Sequence, residues 1–556
     1  MRQRARWVDG QTASLAVLAT VLLAVYPSIR LTVQSPRWRP EDRVLISDFS
    51  VIEAVAASPF TVFAATTHGL TIYDRQARTW RLPVTALDGY PAARVSAALA
   101  DVVDNAVWLG TTDGWARYDA NVRTWEQGRI PGGVANLMLD ARDPASGIFV
   151  QGAFGWGFLP RGALFPVPDR PLPPPGQRVV PLDARTALAQ TPLADAMRAL
   201  ILTDPRLSSY RFTAAARSPD RGELFLGSDG VGLIRLDPST GQWDRLGFGL
   251  VAARAGAVAA GPGGGRGGGG GGVWVASAGR VGERRGLTWV AADLSADTAI
   301  EGSGTLGFPC VEGRRLIASG PSLWLACERG VVRIDAGGSR IKLFELDAPS
   351  ALARAPDGVW VGNARGLFVV TNDGNVVRVG QPRGRAPGLG SDMPVLSLVA
   401  VRETLWVGTA AGLGLLAPGT TDPLVPPDVA EQPALRAPIV ALALLRDTLV
   451  AVTPDQLGWR DPATRRWTLV RGRPELGRVT ALAADAGGGG GDGGGGVWLA
   501  GTNGLAFWDI ARATFRVLGV PLDVPSPARD VAVDPPYVWV ATDSGLVRFA
   551  RDAALR

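Results

Sequence analysis

Histidine is almost missing from this 556-residue chain, and His68 is the single copy. A histidine-based metal cluster is therefore excluded, and a Ser-His-Asp or Cys-His catalytic scheme is weakened, because each needs an imidazole beside its nucleophile. Lysine is equally scarce: Lys342 stands alone among many arginines, a bias of the kind a GC-rich genome produces. The formal net charge is +6, but no basic run resembles a nucleic-acid-binding arm. Cysteine occurs twice, at Cys310 and Cys327. Two cysteines of an exported chain are able to pair, but a hairpin turning at Gly320-Pro321 sets Cys327 opposite about Arg314, several residues from Cys310. Register thus favours two small buried apolar residues.

Glycine is abundant, but in a form that excludes two further chemistries. The tracts Gly261–Gly272 and Gly487–Gly496 lack the Gly-Lys-Ser/Thr that a phosphate-cradling loop requires. The second holds only Asp492 to serve a calcium-binding repeat. Both precede a Val-Trp pair, in the slot that Asp357-Gly358 fills elsewhere, and so read as expanded turns. No cofactor and no metal site follows from the residues.

What the chain does have is one phrase, repeated. Residues 107–119 read V-W-L-G-T-T-D-G-W-A-R-Y-D, two short strands around a tight turn. Copies begin at Val62, Val107, Ile148, Leu224, Val273, Leu323, Val359, Leu405, Leu449, Val497 and Val538, mostly at intervals of about 40–50 residues, the spacing of propeller blades. An apolar run precedes each copy and an aromatic strand often follows, giving four strands per unit. One such sheet cannot bury both faces, whereas sheets packed radially against neighbours can. The prediction is an all-β chain, a β-propeller of about eleven four-stranded blades. Eleven exceeds the usual range of about four to eight per ring, so two rings are expected. A lone strand within residues 43–50 is expected to close the last blade, hiding two sheet edges. A proline-rich insert over 166–207 carries a short helical pattern from Leu193 to Leu202; it reads either as a crossing between rings or as a cap over one.

The phrase L/V-W-V/L-G-T-x-x-G-L resembles the two-component regulator propeller repeat, best at residues 107–119, 359–368, 497–509 and 538–549. The resemblance spans roughly residues 45–556; the third, fifth and ninth copies depart from it. It implies an extracytoplasmic sensory or recognition propeller, in a family where the propeller commonly forms the outer half of a hybrid sensor kinase. This sequence runs to Arg556 directly after the last copy, so the expectation is a sensor-like module without its own output domain, passing information to a partner.

The amino terminus sets the compartment. Arg2, Arg4 and Arg6 precede an apolar stretch from Ala13 to about Ile29. Residues 1–33 read as a cytoplasmic tip and signal anchor, with a cleaved signal peptide as the alternative. The positive tip should stay inside, placing the repeats outside a bacterial inner membrane, crossed once. Residues 34–42 then read as a linker and 43–556 as propeller.

The turn residues before each T-x-x-G glycine are the candidate binding face: His68, Asp113, Asp229, Arg329, Arg365, Asn503 and Asp543. Turns on a rigid scaffold are where recognition usually sits. The glycines Gly69, Gly114, Gly366, Gly412, Gly504 and Gly545 are expected to serve positive φ. Carboxylates recur at Asp74, Asp119, Asp237, Asp335 and Asp509, where turn chemistry explains them; nothing selects a glycosidase pair from them, and no catalytic residue is assigned. Three function classes remain: a membrane-anchored recognition module for a small-molecule, glycan or protein ligand, serving a signalling partner; an accessory scaffold of a membrane protein complex (assembly, transport, respiratory or photosynthetic); and, least favoured, a polysaccharide-active enzyme. Nucleic acid is not an expected partner.

Overall fold

A computed structural model of the chain describes residues 38–101, 103–168, 170–190, 210–237, 239–261, 271–280, 283–294, 297–301, 307–335, 338, 340–380, 393–420, 422–487 and 495–556. The anchor expected over 1–33, the helical pattern at 193–202 and the middles of both glycine tracts lie outside the described residues. Among the described residues no helix is long and apolar enough to cross a membrane.

Eleven antiparallel sheets are present among the described residues, and each copy of the repeated phrase forms the second strand of one and the hairpin beyond it. We number them as blades 1–11 in chain order. Ten have four strands; blade 8 (Val395–Leu416) has three among the described residues. The second strands Thr61–Thr66, Ala106–Thr111, Gly272–Ser277, Ser322–Cys327 and Gly496–Gly501 are buried at every position. Both faces are covered, so an unbroken Val-Trp-Leu run suits them better than strict alternation. The threonine that ends such a strand closes the turn: Thr66, Thr409 and Thr542 donate their hydroxyls to the carbonyls of Gly69, Gly412 and Gly545 at 2.7–2.8 Å.

The glycine expectation holds for Gly114, Gly366, Gly412, Gly504 and Gly545, all at positive φ. Gly504 also faces its fourth strand so closely that a Cβ would meet the Leu518 carbonyl at 2.1 Å. Gly69 is the exception. Its φ is not positive, and the demand there is space, since a Cβ would stand 2.7 Å from the Val84 carbonyl.

The chain divides into two compact units, one of residues 96–180 and the other of the described parts of 34–95 and 181–556. The first holds blades 2 and 3, joined by an apolar cluster around Trp108, Trp115, Leu137 and Val150. In the second, blades 5–11 form a closed ring of seven. Their first strands contact one another in order, from Ala255–Ala260 round to Ala528–Asp534, and the last meets the first. Each of the seven interfaces has its own apolar cluster. The closing one sets Trp539 and Leu546 of blade 11 against Val258 and Val273 of blade 5. Alanines on the first strands, such as Ala255, Ala257, Ala351, Ala441 and Ala528, let seven backbones converge.

Blade 11 takes its fourth strand from the other end of the chain: Arg43–Ile46 pairs with Leu546–Phe549, Arg43 opposite Phe549. The chain then leaves for blades 1–4 and re-enters the ring at Ala255. Blades 1 and 4 pack on each other through Ile52, Val62, Ala216 and Phe225. They are tied by Arg75, whose guanidinium reaches Asp220 at 2.7 Å and Glu223 at 2.6 Å. Seven of the eleven sheets thus form one closed ring, while blades 1 and 4 pack on each other and blades 2 and 3 make up the other unit. The insert divides likewise. Arg178–Val179 adds to blade 3 on the edge of its first strand, Val179 opposite Leu139, while Ala184–Ala189 is a helix packing Ala184 and Ala187 onto blade 4.

Two features go beyond the sequence reading. Trp38–Asp42, the described end of the linker, is docked on blade 11: the Trp38 indole donates to Asp523 at 2.9 Å and its ring lies 5.4 Å from that of Phe549. Cys310 and Cys327, whose pairing register disfavoured, form a disulfide with Cα atoms 5.8 Å apart. The expected register was nearly right, with Cys327 opposite Gly313. However, Cys310 lies before that strand, in a segment whose Phe308 and Cys310 are buried beside Cys327. Strand register says nothing about such a segment.

Two stability tests follow. Trp324, fully buried between blades 6 and 7, should cost about 3–5 kcal/mol when replaced by alanine, seen as a lower denaturant midpoint. The disulfide closes a separation of 17 residues, so Cys310→Ser should cost about 2–3 kcal/mol and leave thermal unfolding indifferent to dithiothreitol.

Candidate recognition surface

At one end of the ring, the turns between second and third strands stand beside the starts of the first strands; Thr542, next to the 543–544 turn, pairs with both Ala528 and Gly545. Five of the seven first strands carry a register shift at their second residue, at Gly256, Arg314, Leu396, Thr480 and Arg529. Bulges re-aim side chains, and here they cluster charge at the ring mouth.

Two linked groups result. Asp543 accepts from Arg529 Nε at 2.5 Å and Arg254 Nη2 at 3.0 Å, and Arg529 lies 3.4 Å from Glu312, itself 3.5 Å from Arg314. Burial opposes charge on Asp543, but hydrogen bonds from Arg529 and Arg254 outweigh it and hold its carboxyl below the ordinary range. Deeper in, Arg315 of blade 6 donates to the Thr480 carbonyl of blade 10 at 2.6 Å and lies 3.8 Å from Asp530 of blade 11. Blades 6 and 10 are three places apart in the ring, as far as seven blades allow, so this side chain spans the axis. Asp530 also accepts from the Val258 N–H of blade 5 at 3.1 Å. Burial pushes the Asp530 carboxyl up, against the pull of the Arg315 charge and of two backbone N–H groups.

The seven residues chosen from sequence fall on the ring, on blades 1 and 4, and in the unit of blades 2 and 3. Arg329, Arg365, Asn503 and Asp543 sit on turns of the ring, His68 and Asp229 on turns of blades 1 and 4, and Asp113 in the unit of blades 2 and 3. Several have structural partners. His68 Nδ1 lies 3.0 Å from the Asp48 carbonyl, the Asp229 carboxylate accepts from the Arg211 N–H at 2.7 Å, and Asp543 is held as above. Asp113 and Asn503 are exposed. Arg329 and Arg365, on adjacent ring blades, are 55% and 73% exposed, with Glu345 at 3.9 Å and Asp347 at 3.2 Å as exposed partners. The repeat-end aspartates show the expected turn bonding: Asp74, Asp119, Asp237 and Asp509 each accept from an N–H two or three residues on. Among the described residues no three His, Cys, Asp or Glu side chains form a metal-holding group.

Sequence reasoning missed Arg254, Glu312, Arg315, Arg529 and Asp530, which lie at or just before the first strands rather than on the turns. Their signal was present: Arg314-Arg315 and Arg529-Asp530 interrupt otherwise small, apolar runs at matching distances from the next Val/Leu-Trp strand.

No family model and no curated protein matches the chain. Among solved structures it is similar to the extracellular domain of BT4673 from B. thetaiotaomicron. That likeness covers 90% of this chain and 70% of that one, at 12% identity and a TM-score of 0.40. A second structure of the same domain matches over 91% and 70%, at 13% identity and a TM-score of 0.40. A chain of a mitotic checkpoint complex matches over 50% of this chain and 83% of its own, at 16% identity and a TM-score of 0.36.

Asp543→Ala should leave Arg254 and Arg529 without their shared acceptor, costing about 1–2 kcal/mol at neutral pH after allowance for partial exposure. Because the folded pKa is lowered, this contribution is full above the ordinary carboxylate value of about 4 and fades as pH falls through the folded one. Urea unfolding of the two proteins should therefore differ at neutral pH and converge in strong acid.

Proposed function

We propose that this chain is a membrane-anchored, extracytoplasmic β-propeller that recognises another molecule, sensor-like and not itself an enzyme, through the turns at the mouth of its seven-bladed ring. The observation that carries this reading is the neighbouring pair Arg329 and Arg365. They stand exposed on consecutive blades of a rigid ring, and their partners Glu345 and Asp347 are themselves 83% and 57% exposed. Exposed pairs of this kind stabilise a fold by about 0–1 kcal/mol, so stability is a poor account of two long cationic side chains held there. The buried groups at the mouth, by contrast, are committed to one another. A surface of this make-up suits a partner with carboxylates or other anionic groups.

Two further features support the location. The Arg-flanked apolar run of residues 2–29 has the order and charge asymmetry of a signal anchor. The Cys310–Cys327 disulfide is of a kind that persists in oxidising compartments.

The test is crosslinking on intact cells with the full-length protein, followed by mild detergent extraction and mass spectrometry. The Arg329→Ala/Arg365→Ala double variant should keep the wild-type melting temperature and recover its specific partner at least about tenfold less, the loss of two charge-assisted contacts. Unchanged recovery removes the turns from recognition. Stoichiometric recovery of one membrane complex that ignores the double variant identifies the accessory scaffold instead.

A further inference from the structure

The last link between ring blades, residues 520–527, joins Thr514–Gly519 of blade 10 to Ala528–Asp534 of blade 11. It lies at the mouth end of the ring, since Gly519 pairs with Gly504 beside the 502–503 turn. Its backbone is braced. The Asp523 and Val524 N–H groups donate to the Gly519 carbonyl at 2.9 and 3.2 Å, and the Leu522 carbonyl accepts from Arg43 at 2.6 Å. The Asp523 carboxylate is turned inward, where it accepts from the Trp38 indole at 2.9 Å and from the Gly519 N–H at 3.1 Å.

What this leaves outside is apolar. Leu522 is 81% exposed, the highest value for a large hydrophobic residue among the described residues. Pro521 and Pro527 are exposed beside it. Asp523 is the one ionisable residue of the link, and it is buried, so the link shows solvent no charged side chain of its own. The link one blade earlier, residues 472–478, instead exposes Arg473, Glu475 and Arg478. A single exposed leucine is ordinary. A leucine held outward on a braced loop without exposed charge calls for a further reason, and the other end of the chain supplies one.

Trp38 is buried against this link, and the apolar run that precedes it ends between Ile29 and Val33. A chain advances at most about 3.6 Å per residue, so Trp38 lies within about 18 Å of Val33 and about 32 Å of Ile29 whatever path the chain takes. The polar layer of one leaflet is itself about 5–8 Å deep. We propose that Pro521 and Leu522 rest in the interfacial layer of the membrane's outer leaflet, making the mouth end of blade 11 a lipid-docking surface. This rests on the membrane-anchored reading above. The occupant is a bilayer, because the anchor delivers one to this spot and because an uncharged apolar loop gains by leaving water for the boundary of the acyl chains. The tether has already brought the two surfaces together, so a small apolar contact is enough to hold the ring in one orientation.

The cysteines make the test clean. Cys310 and Cys327 are the only two in the chain and are joined to each other, so an introduced thiol is labelled alone. Full-length Leu522→Cys, carrying a nitrobenzoxadiazole dye, is reconstituted into phosphatidylcholine vesicles with and without a nitroxide high on the acyl chain. The control is Asp447→Cys, on the exposed turn between first and second strands of blade 9, at the opposite end of the ring. Both variants should float with the vesicles. Nitroxide lipid should quench the dye at position 522 by at least about twofold and leave the dye at position 447 unchanged. Flotation with equal quenching at the two positions, or with none, overturns the lipid contact and leaves the anchor standing. A dye at position 522 that shifts to the blue without being quenched has a protein surface over it, a second copy or a partner, and overturns the contact too. Failure to float overturns the anchored reading and the contact together.

Discussion

Everything in the ring depends on one pairing, that of Arg43–Ile46 with Leu546–Phe549. A radial array of sheets is stable only if every sheet has a neighbour on each face, and an open array leaves two apolar faces in water. Here the first-made ring strand is part of the last blade, so blade 11 has its full width when it packs against blade 5. The Trp539 and Leu546 cluster then becomes an interior interface like the other six. Trp38 and Arg43 reinforce the seam from outside, Arg43 donating to the Leu522 carbonyl at 2.6 Å. Closure by short-range packing alone leaves an unpaired edge; closure by a strand removes it.

The mouth inherits its geometry from that closure. Asp530 reaches the blade 5 backbone, and Arg315 reaches blade 10, only because the first strands are held in a complete circle. The charges there satisfy one another at short range and are largely consumed in holding the axis. The exposed arginines on the outer turns are in a different electrostatic setting, solvated and loosely paired. Burial, more than residue type, separates the groups that hold the ring from those left to meet something else.

Much of this was legible in the sequence, and the limits are physical. The Val-Trp-x-Gly-Thr phrase reported every second strand, because a strand covered on both faces must be continuously apolar and its turn needs a hydroxyl and a glycine. The lone strand near residue 43 was legible because an unmatched fourth strand implies an unmatched blade. Ring membership was not. Blades 1–4 and 5–11 obey the same local rule, and only long-range contacts tell which sheets share an axis. The turn residues were found by their spacing, but spacing does not reveal that Asp229 and His68 hold backbone while Arg329 and Arg365 face solvent. Arg315 was missed because it bonds across the ring to blade 10, a feature of the assembled ring that no single repeat encodes. The disulfide was missed for a similar reason, since Cys310 lies in the irregular segment before a strand.

The seam also orders events in time. A ribosome delivers Arg43–Ile46 long before Gly545–Ala550, so this strand emerges with its hydrogen-bonding edge unmatched and must wait while blades 1–10 are made. Contacts of such sequence separation form late and slowly, and an unpaired strand is a site for wrong pairing meanwhile. The burial pattern of the strand fits that hazard. All four residues are buried in the finished ring, yet it opens with an arginine and follows Pro40, Glu41 and Asp42, the kinds of residue that discourage edge-to-edge association. The same short segment is thus both the latch of the mature ring and, for most of the protein's synthesis, its most exposed liability.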